Sequence, residues 1–247
     1  MVKHQIRTTD NRVVRDKVRN YPIEWATQIN QQVSEMLSEN EIIEPSSSPY
    51  NSNPVLVSKK DATKRFAVDF RNLNKTSARD DYPLPNADEM LNQGCGQTVF
   101  SQMDLASGYW GIVIEDEDRP KTAFSVQRGK FQFVRMPFGL KNAQATIQRN
   151  MDFVVEECKK RGALGIIDAY VDNIIVMSDG FEDHMKTLKI VFEVVEELCN
   201  LSLRPPKSRK QLQRFLGIAN YNRRFIDKYS DLCTPDINQS RIPVDKG

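Results

Sequence analysis

The sequence predicts an α+β domain in which a mainly antiparallel sheet is backed by helices. Short apolar or alternating runs occur in pairs separated by a few turn residues, as in antiparallel hairpins. Longer segments place apolar residues at three- and four-residue spacing, which is typical of amphipathic helices. Neither GxGxxG nor GxxxxGKS/T occurs, so the sequence gives no support to dinucleotide-binding or P-loop chemistry.

The first elements are a helix and a hairpin. Helical spacing predicts a helix over residues 22–44, which Pro45 ends. The β-branched run at 54–60 and the alternating run at 65–71 predict two antiparallel strands with a basic turn between them. After a proline-rich link, Asn86 is a suitable cap for a short helix that runs to Leu91.

A second group of strands occupies the middle of the chain. Residues 98–118 contain two apolar runs that are interrupted by small residues at 106–108. A second hairpin follows, with strands at 121–127 and 130–138.

The last part of the chain combines helices with the strongest strand formers. A helix is predicted over 143–157, and the strands at 165–171 and 174–178 are separated only by Asp172 and Asn173. Asp and Asn tolerate positive φ, so these two residues are predicted to form a two-residue hairpin turn. Two more helices are predicted, at 181–200 and 211–229.

Composition and charge limit the class of protein. The chain has 247 residues, 28% of them charged, which is enough length for one large or two small globular domains. The net charge is only +2, but residues 1–20 carry +4 and residues 203–229 carry +7. Basic segments of this kind suit a polyanionic partner, and equally they can be solvated surface.

The cysteines and the amino-terminal residues indicate the compartment. The four cysteines lie more than thirty residues apart without a CxxC pair, and there are only two histidines, so zinc-finger and redox motifs are excluded. The polar start is unlike a secretory signal, and no long uncharged apolar stretch indicates a membrane span. We therefore expect an intracellular protein with no membrane partner, located in the cytoplasm or the nucleus.

Two carboxylates are candidates for chemistry. Asp104 ends an apolar run, where an unpaired carboxylate would need a cation or hydrogen bonds to compensate its burial. Together with Asp172, it would supply hard oxygen ligands for Mg²⁺. Alternatively, Asp172 and Asn173 are ordinary turn residues.

Five segments follow one another along the chain: YNSNPVLVSKKDATKRFAVDFRNLN, YPLPNADEML, VFSQMDLASGYW, KTAFSVQRGKFQFVRMPFGLKNAQATIQRNMD and AYVDNIIVMS. In this order and spacing they resemble the reverse transcriptase of gypsy-type LTR retrotransposons. The resemblance implies the fingers and palm of a right-handed polymerase, an RNA template, a DNA primer or hybrid, and a deoxynucleoside triphosphate. It also implies two Mg²⁺ ions, with Mn²⁺ as an alternative. The expected location is cytoplasmic virus-like particles or the nucleus.

The resemblance assigns roles to individual residues. Asp104 and Asp172 match the catalytic, metal-bridging aspartates, and Asn173 stands where the family's Tyr-x-Asp-Asp turn has a third carboxylate. The nucleotide-binding positions are matched by Lys59, Arg65, Tyr109 and Phe138, and the template-primer positions by Arg71, Gly139 and Tyr170.

The same resemblance divides the chain. Residues 1–20 are a basic amino-terminal segment, 21–79 and 112–142 are fingers, 80–111 and 143–203 are palm, and 204–247 are a remnant of the thumb and connection region. Compared with the family, the segment LCNLSLRPPKSRKQLQRFLG lacks several tens of residues that hold the primer grip and the start of the thumb. Gln144 also stands where the family has Pro.

Two functions follow as alternatives. The first is an RNA-directed DNA polymerase domain whose activity is impaired by Asn173 and by the deletion. The second is a non-catalytic nucleic-acid-binding or assembly module of a domesticated or degenerate element. A truncated, unstable gene product is a third possibility that the sequence leaves open.

Overall fold

The computed structural model describes residues 1–10, 12–38, 42–58, 64–105 and 108–199. The helices are α1 (Ile23–Ser38), α2 (Arg71–Thr76), α3 (Ala87–Gln93), α4 (Ala143–Lys160) and α5 (Phe181–Cys199). The strands are β1 (Ile43–Pro45), β2 (Asn53–Ser58), β3 (Lys64–Asp69), β4 (Val99–Asp104), β5 (Phe124–Val126), β6 (Gly129–Phe133), β7 (Ile166–Tyr170) and β8 (Asn173–Ser178). Short 3₁₀ turns at Gly108–Gly111 and Arg119–Thr122 complete the described elements.

The sheet that positions the candidate site has the strand order β4-β8-β7 and is antiparallel throughout. Successive side chains of a strand alternate between faces, and here one face is apolar and buried, as at Ile174 and Val176. This face packs on α4 and α5, which contribute Val154 and Val194 to the same core. The predicted antiparallel sheet backed by helices is confirmed.

The other strands form a second layer. The β2–β3 hairpin is a two-stranded sheet, and β1, β6 and β5 form a three-stranded one in that order. Phe124 packs against Phe133 and Phe66, with ring centroids 5.3 and 5.4 Å apart, and all three side chains are buried. Burying each aromatic ring contributes about 1.5–3 kcal/mol, so this cluster joins the two small sheets into one core.

The amino-terminal segment lies across both layers. We call residues 1–10 and 12–20 the N-terminal strap. The side-chain amide of Asn150 on α4 accepts from Val2 N (2.7 Å) and donates to Val2 O (3.0 Å). Near its other end, the strap bonds to Asn51 through the carbonyl of Val14 (3.0 Å) and the amide of Asp16 (2.8 Å). The basic start of the chain therefore has a largely structural role, because it is hydrogen-bonded to both layers.

Both histidines of the chain are buried and hydrogen-bonded. His4 of the strap contacts Thr146 Oγ1 at 2.8 Å through Nδ1, and burial lowers its pKa to about 4 despite the opposing charges of two aspartates. His184 of α5 lies between the hydroxyls of Ser101 and Ser178, at 2.8 and 3.1 Å, and burial also lowers its pKa. Both imidazoles therefore stabilise the fold in their neutral form.

Two sequence-based expectations need correction or fall outside the described residues. The predicted helix over 22–44 is wrong at its end, because α1 ends at Ser38 and residues 43–45 form β1, which pairs with β6. The apolar residues at 42 and 43 fit a strand as well as a helix, and pairing with β6 decides the outcome. The predicted helix over 211–229 and the thumb remnant lie outside the described residues. No helix in the described ranges is long and apolar enough to cross a membrane.

Candidate active site

Strand register brings the two candidate carboxylates to one end of the sheet. Asp104, the last residue of β4, pairs with Asn173, the first residue of β8. One residue further on, the amide of Leu105 donates to the carbonyl of Asp172 at 2.9 Å. Residues that are 68 positions apart in the sequence are therefore neighbours in space.

Asp104 is exposed, so the expectation that its burial requires compensation is wrong. The side chains of β4 alternate between the core and solvent, and position 104 lies on the solvent side.

The hairpin turn between β7 and β8 differs from the predicted one by one residue. Tyr170 pairs with Asn173, so the two turn residues are Val171 and Asp172. Val171 has φ of 54°, which lies in the left-handed region that a β-branched side chain rarely adopts. A positive φ at the first central residue alone is the pattern of a type II′ turn, which matches the twist of the strands. Asp172 is thus placed at the tip of the hairpin and is half-buried.

Asn173 bonds to its neighbours through both ends of its amide. Its Nδ2 donates to Asp172 Oδ1 at 3.2 Å, and its Oδ1 accepts from Gln102 Nε2 at 2.9 Å. The amide oxygen, which would be the atom able to coordinate a metal, is therefore already paired with a donor. The site consequently offers two carboxylates, with an amide neutralising part of the charge on one of them.

Aromatic side chains and one arginine lie beside this end of the sheet. The rings of Tyr109 and Phe138 have centroids 4.4 Å apart, and the Arg65 guanidinium lies over the Phe138 ring at 4.5 Å. Burial raises the pKa of Tyr109, the nearby Asp172 charge raises it further, and the Arg65 charge opposes both. The phenol is therefore within electrostatic range of both charged groups. Exposed Tyr170 precedes the turn.

The carboxylates fit a divalent cation. Mg²⁺ prefers oxygen ligands and is usually bound by one or two carboxylates together with substrate phosphates and water. Asp104 and Asp172 are such a pair. Among the described residues, no group of three or more Asp, Glu, His and Cys side chains is arranged to hold a metal ion. The donor set therefore suits an ion that a phosphate-bearing substrate helps to bind.

Arg71 and Gly139 lie next to the β2–β3 hairpin. Arg71 holds both oxygens of Asp69, at 2.8 Å from Nε and 2.7 Å from Nη2, and this bonding lowers the pKa of Asp69. Gly139 has φ of +91° and accepts at its carbonyl from Asn74 Nδ2 at 2.8 Å. The expected nucleotide contact Lys59 lies outside the described residues.

A basic groove of about 740 Å³ runs beside Arg71. We define it by its lining residues, which are Asp16, Lys17, Val18, Arg19, Asn53, Asp69, Arg71, Asn72 and Lys75. Its four cations outnumber its two carboxylates. The strap therefore contributes two of its positive charges, Lys17 and Arg19, to a surface shared with the β2–β3 hairpin.

Sequence reasoning missed the glutamines that support the site. Gln102 bonds to Asn173, and Gln148 on α4 bonds to the backbone of the hairpin turn. The only signal for Gln148 was its place beside the apolar stripe of a helix, where a buried polar side chain must find partners. Gln102 carried no comparable signal.

Comparison with known families supports the sequence resemblance. The family described as "Reverse transcriptase (RNA-dependent DNA polymerase)" matches residues 57–224. The Pol polyprotein from transposon opus of Drosophila melanogaster is 33% identical over 97% of this chain and 28% of its own length. The Pol polyprotein from transposon gypsy of the same organism is 36% identical over 86% of this chain and 21% of its own length.

Solved structures agree with these relatives. The prototype foamy virus protease-reverse transcriptase covers 96% of this chain at 25% identity with a TM-score of 0.67, and the match covers 36% of that protein. A foamy viral protease-reverse transcriptase in complex with RNA/DNA hybrid matches 99% of this chain with a TM-score of 0.67 at 21% identity. The chain spans well under half of each relative.

The opus alignment extends over 282 positions, whereas this chain has 247 residues. Opus therefore contains at least 35 residues that have no counterpart in this chain, which supports an internal deletion.

Proposed function

From the premise that this chain belongs to the reverse transcriptase (RNA-dependent DNA polymerase) family, we propose that it extends a DNA primer on an RNA template. The chain is a domain of the kind found in LTR-retrotransposon Pol polyproteins. We propose an intracellular location, in cytoplasmic particles or in the nucleus, because RNA and deoxynucleotides are available in both.

The observation that carries this proposal is the convergence of Asp104 and Asp172 beside the Tyr109–Phe138–Arg65 cluster. β-sheet register brings the carboxylates together, and the Arg65 guanidinium lies 4.5 Å over the Phe138 ring that packs against Tyr109. Besides burial, the nearby Asp172 charge raises the pKa of Tyr109. A nucleotide needs such a combination, because its phosphates require cations and its sugar and base require an apolar surface. The arrangement supplies all of these in one place.

Reverse transcriptases use divalent metal ions, and we propose that Asp104 and Asp172 hold two Mg²⁺, or Mn²⁺ in their place. When bound, such ions supply charge stabilisation at the attacking and leaving oxygens of phosphoryl transfer. Asp104 and Asp172 would hold these ions at the end of the sheet where the two residues are neighbours. Asn173 contributes no negative charge, so its amide weakens the attraction for the ions, and we propose that activity is low.

The other residues bind and orient the nucleotide. The Arg65 fork is suited to bidentate contact with triphosphate oxygens, and Lys59 provides a second positive charge. Tyr109 supports the sugar and excludes a 2′-hydroxyl. The Phe138 ring packs against the Tyr109 ring in a tilted arrangement, with centroids 4.4 Å apart, and lines the nucleotide pocket. The triphosphate is in this way held between the hairpin and the carboxylates.

The nucleic acid partner is an RNA template with a DNA primer. The basic groove offers Lys17, Arg19 and Lys75 to the phosphate backbone, and Arg71 forms part of the same surface. Gly139 and Tyr170 are further template-primer positions. Contacts to phosphates and sugars set position without reading sequence, as a polymerase requires. Binding should weaken steeply with salt, because each phosphate contact releases counterions.

Primer extension tests the polymerase proposal. The assay uses an RNA template, a labelled DNA primer and either Mg²⁺ or Mn²⁺. We expect slow extension that Asp104→Asn and Asp172→Asn abolish and that Asn173→Asp increases. Extension that is unaffected by Asp104→Asn would contradict the assignment.

A second candidate is a nucleic-acid-binding module without catalysis, which the hydrogen-bonded state of Asn173 favours. It predicts salt-dependent binding to RNA/DNA hybrid in a filter titration, with no extension by the natural chain or by Asn173→Asp. Binding without extension would establish this candidate and overturn the first. Absence of binding at low salt would contradict both.

A further inference from the structure

The hairpin turn that carries Asp172 contains a strained residue. Val171 is 7% exposed and has φ of 54°, a conformation that a β-branched L-residue rarely adopts. Residues in such conformations persist only where the surrounding structure holds them. The position of the Asp172 carboxylate follows from the backbone angles of Val171. Groups that hold Val171 therefore control where the carboxylate points.

Gln148 of α4 supplies that restraint. Its side chain is fully buried, and Oε1 accepts from the amide of Val171 at 2.8 Å. Its Nε2 donates to the carbonyl of Ala169 at 2.9 Å and to Asp152 Oδ1 at 2.8 Å. One oxygen faces a donor and one nitrogen faces two acceptors, so the amide has a single orientation that satisfies every partner. Gln148 thus hydrogen-bonds to the backbone on both sides of Tyr170.

The chain of hydrogen bonds continues to a residue from another part of the fold. The hydroxyl of Tyr82, in the link before α3, donates to Asp152 Oδ2 at 2.5 Å. The Tyr82 ring is itself held in place, because the Arg149 guanidinium lies 4.4 Å above it and pairs with Asp80 at 2.5 Å. The Asp152 carboxylate therefore receives one donor from the link and one from Gln148.

We propose that Tyr82, Asp152 and Gln148 are positioning residues for the Asp172 carboxylate. This inference rests on the proposed function, because the carboxylate is the metal ligand assigned there. Asp152 orients the Gln148 amide, and Tyr82 orients Asp152. Without the Tyr82 hydroxyl, the Asp152 carboxylate is free to rotate, and Gln148 loses part of the restraint that directs Oε1 at Val171. Sites of this kind tolerate displacements of only about 0.5 Å.

Hydrogen exchange at the Val171 amide tests the proposal without relying on activity. We compare the natural chain with Tyr82→Phe and Gln148→Met by mass spectrometry of peptides from the β7–β8 hairpin. A matched control is Tyr21→Phe, which removes a tyrosine hydroxyl that donates to Pro54 O at 2.7 Å, outside this network. A typical hydrogen bond contributes about 1 kcal/mol, which corresponds to roughly fivefold in an equilibrium.

We expect exchange at Val171 to rise about fivefold in Tyr82→Phe and about tenfold or more in Gln148→Met, which leaves a buried donor unpaired. The double variant should exchange no faster than Gln148→Met alone, because both changes act through one side chain. Tyr21→Phe should leave exchange at Val171 unchanged. Affinity for Mn²⁺ alone, followed by titration calorimetry, should fall in the same order.

Exchange in Tyr82→Phe equal to that in the natural chain would overturn the proposal, as would additive effects in the double variant. If Gln148→Met fails to fold, Tyr82→Phe alone decides, because it removes one oxygen atom near the surface. Failure of the natural chain to bind Mn²⁺ would overturn the proposed function instead. The exchange result would still decide whether Tyr82 acts on the turn.

Discussion

Replacing Asn173 by Asp should increase the stabilisation that divalent metal ions give to the fold. The Asn173 amide nitrogen lies 3.2 Å from Asp172 Oδ1, where it donates a hydrogen bond. Substitution by Asp replaces this attraction by repulsion between two carboxylates held about 4 Å apart. Two unit charges at that distance interact by about 1 kcal/mol in bulk water and about 4 kcal/mol at an effective dielectric constant of 20. Because both residues are half-exposed, we take about 1–2 kcal/mol.

In the absence of divalent ions, this repulsion should lower the Tm of Asn173→Asp by about 2–8 °C, since a domain of this size shifts by about 2–4 °C per kcal/mol. With a divalent ion bound, the added charge attracts a double charge, so the gain is about 2–4 kcal/mol. The Kd for Mn²⁺ should therefore fall by roughly 30- to 700-fold, since 1.4 kcal/mol corresponds to tenfold.

The assay is a thermal melt of both proteins with EDTA and with Mg²⁺ or Mn²⁺, accompanied by calorimetric titration with Mn²⁺. Asn92→Asp, on the exposed side of α3, is the matched control for adding one carboxylate. We expect Asn173→Asp to be less stable than the natural chain in EDTA and to gain more from the metal. An equal metal-induced shift in both proteins would refute the assignment of this turn as a metal site.

Three further predictions concern stability and binding. The neutral form of buried His4 is favoured down to about pH 4, so its contribution to stability is complete above pH 6.5 and is lost as the pH falls towards 4. In urea titrations, the free energy of unfolding should fall between pH 7.5 and pH 4.5 by about 3 kcal/mol more in the natural chain than in His4→Gln. Arg71→Ala, at a side chain that is 80% exposed, should leave the melting temperature nearly unchanged. It should lower the salt slope of hybrid binding by about one phosphate contact, and an unchanged slope would contradict its template role. Gly139→Ala should cost about 1–2 kcal/mol of unfolding free energy, because the φ of Gly139 is +91°. Its Cβ would meet only one atom, at 3.8 Å, so the cost comes from the backbone conformation, and an unchanged unfolding free energy would contradict this.

Most of the fold followed from periodicity. The alternation in β3 and β4 and the apolar stripes of α4 and α5 report which side of each element is buried, and burial is what stabilises these elements. The end of α1 was mispredicted, because the chain leaves the helix in order to pair β1 with β6. Pairing partners that are 88 residues apart leave no local signal.

The sequence resemblance proposes the residues of the candidate site but not their geometry. The structure brings Asp104 and Asp172 together, whereas the hairpin turn lies one residue earlier than predicted. Local propensity assigns positive φ to Asp or Asn rather than to valine, and here contact with Gln148 prevails over propensity. The pairing of Asn173 with Gln102 likewise depends on cross-strand neighbours. Interactions between distant segments set the details that chemistry requires.

The N-terminal strap has a mechanical consequence. It is tethered to α4 at Asn150, to Ala78, two residues after α2, through the bond from Ala78 N to Arg7 O, and to Asn51 before β2. Extended backbone spans at most about 3.3–3.6 Å per residue, so the five residues from Val2 to Arg7 reach at most about 18 Å. The strap therefore limits how far the two layers can move relative to each other. Rotation of the layers about the strap is compatible with these bonds, whereas sliding along the strap would break its backbone hydrogen bonds.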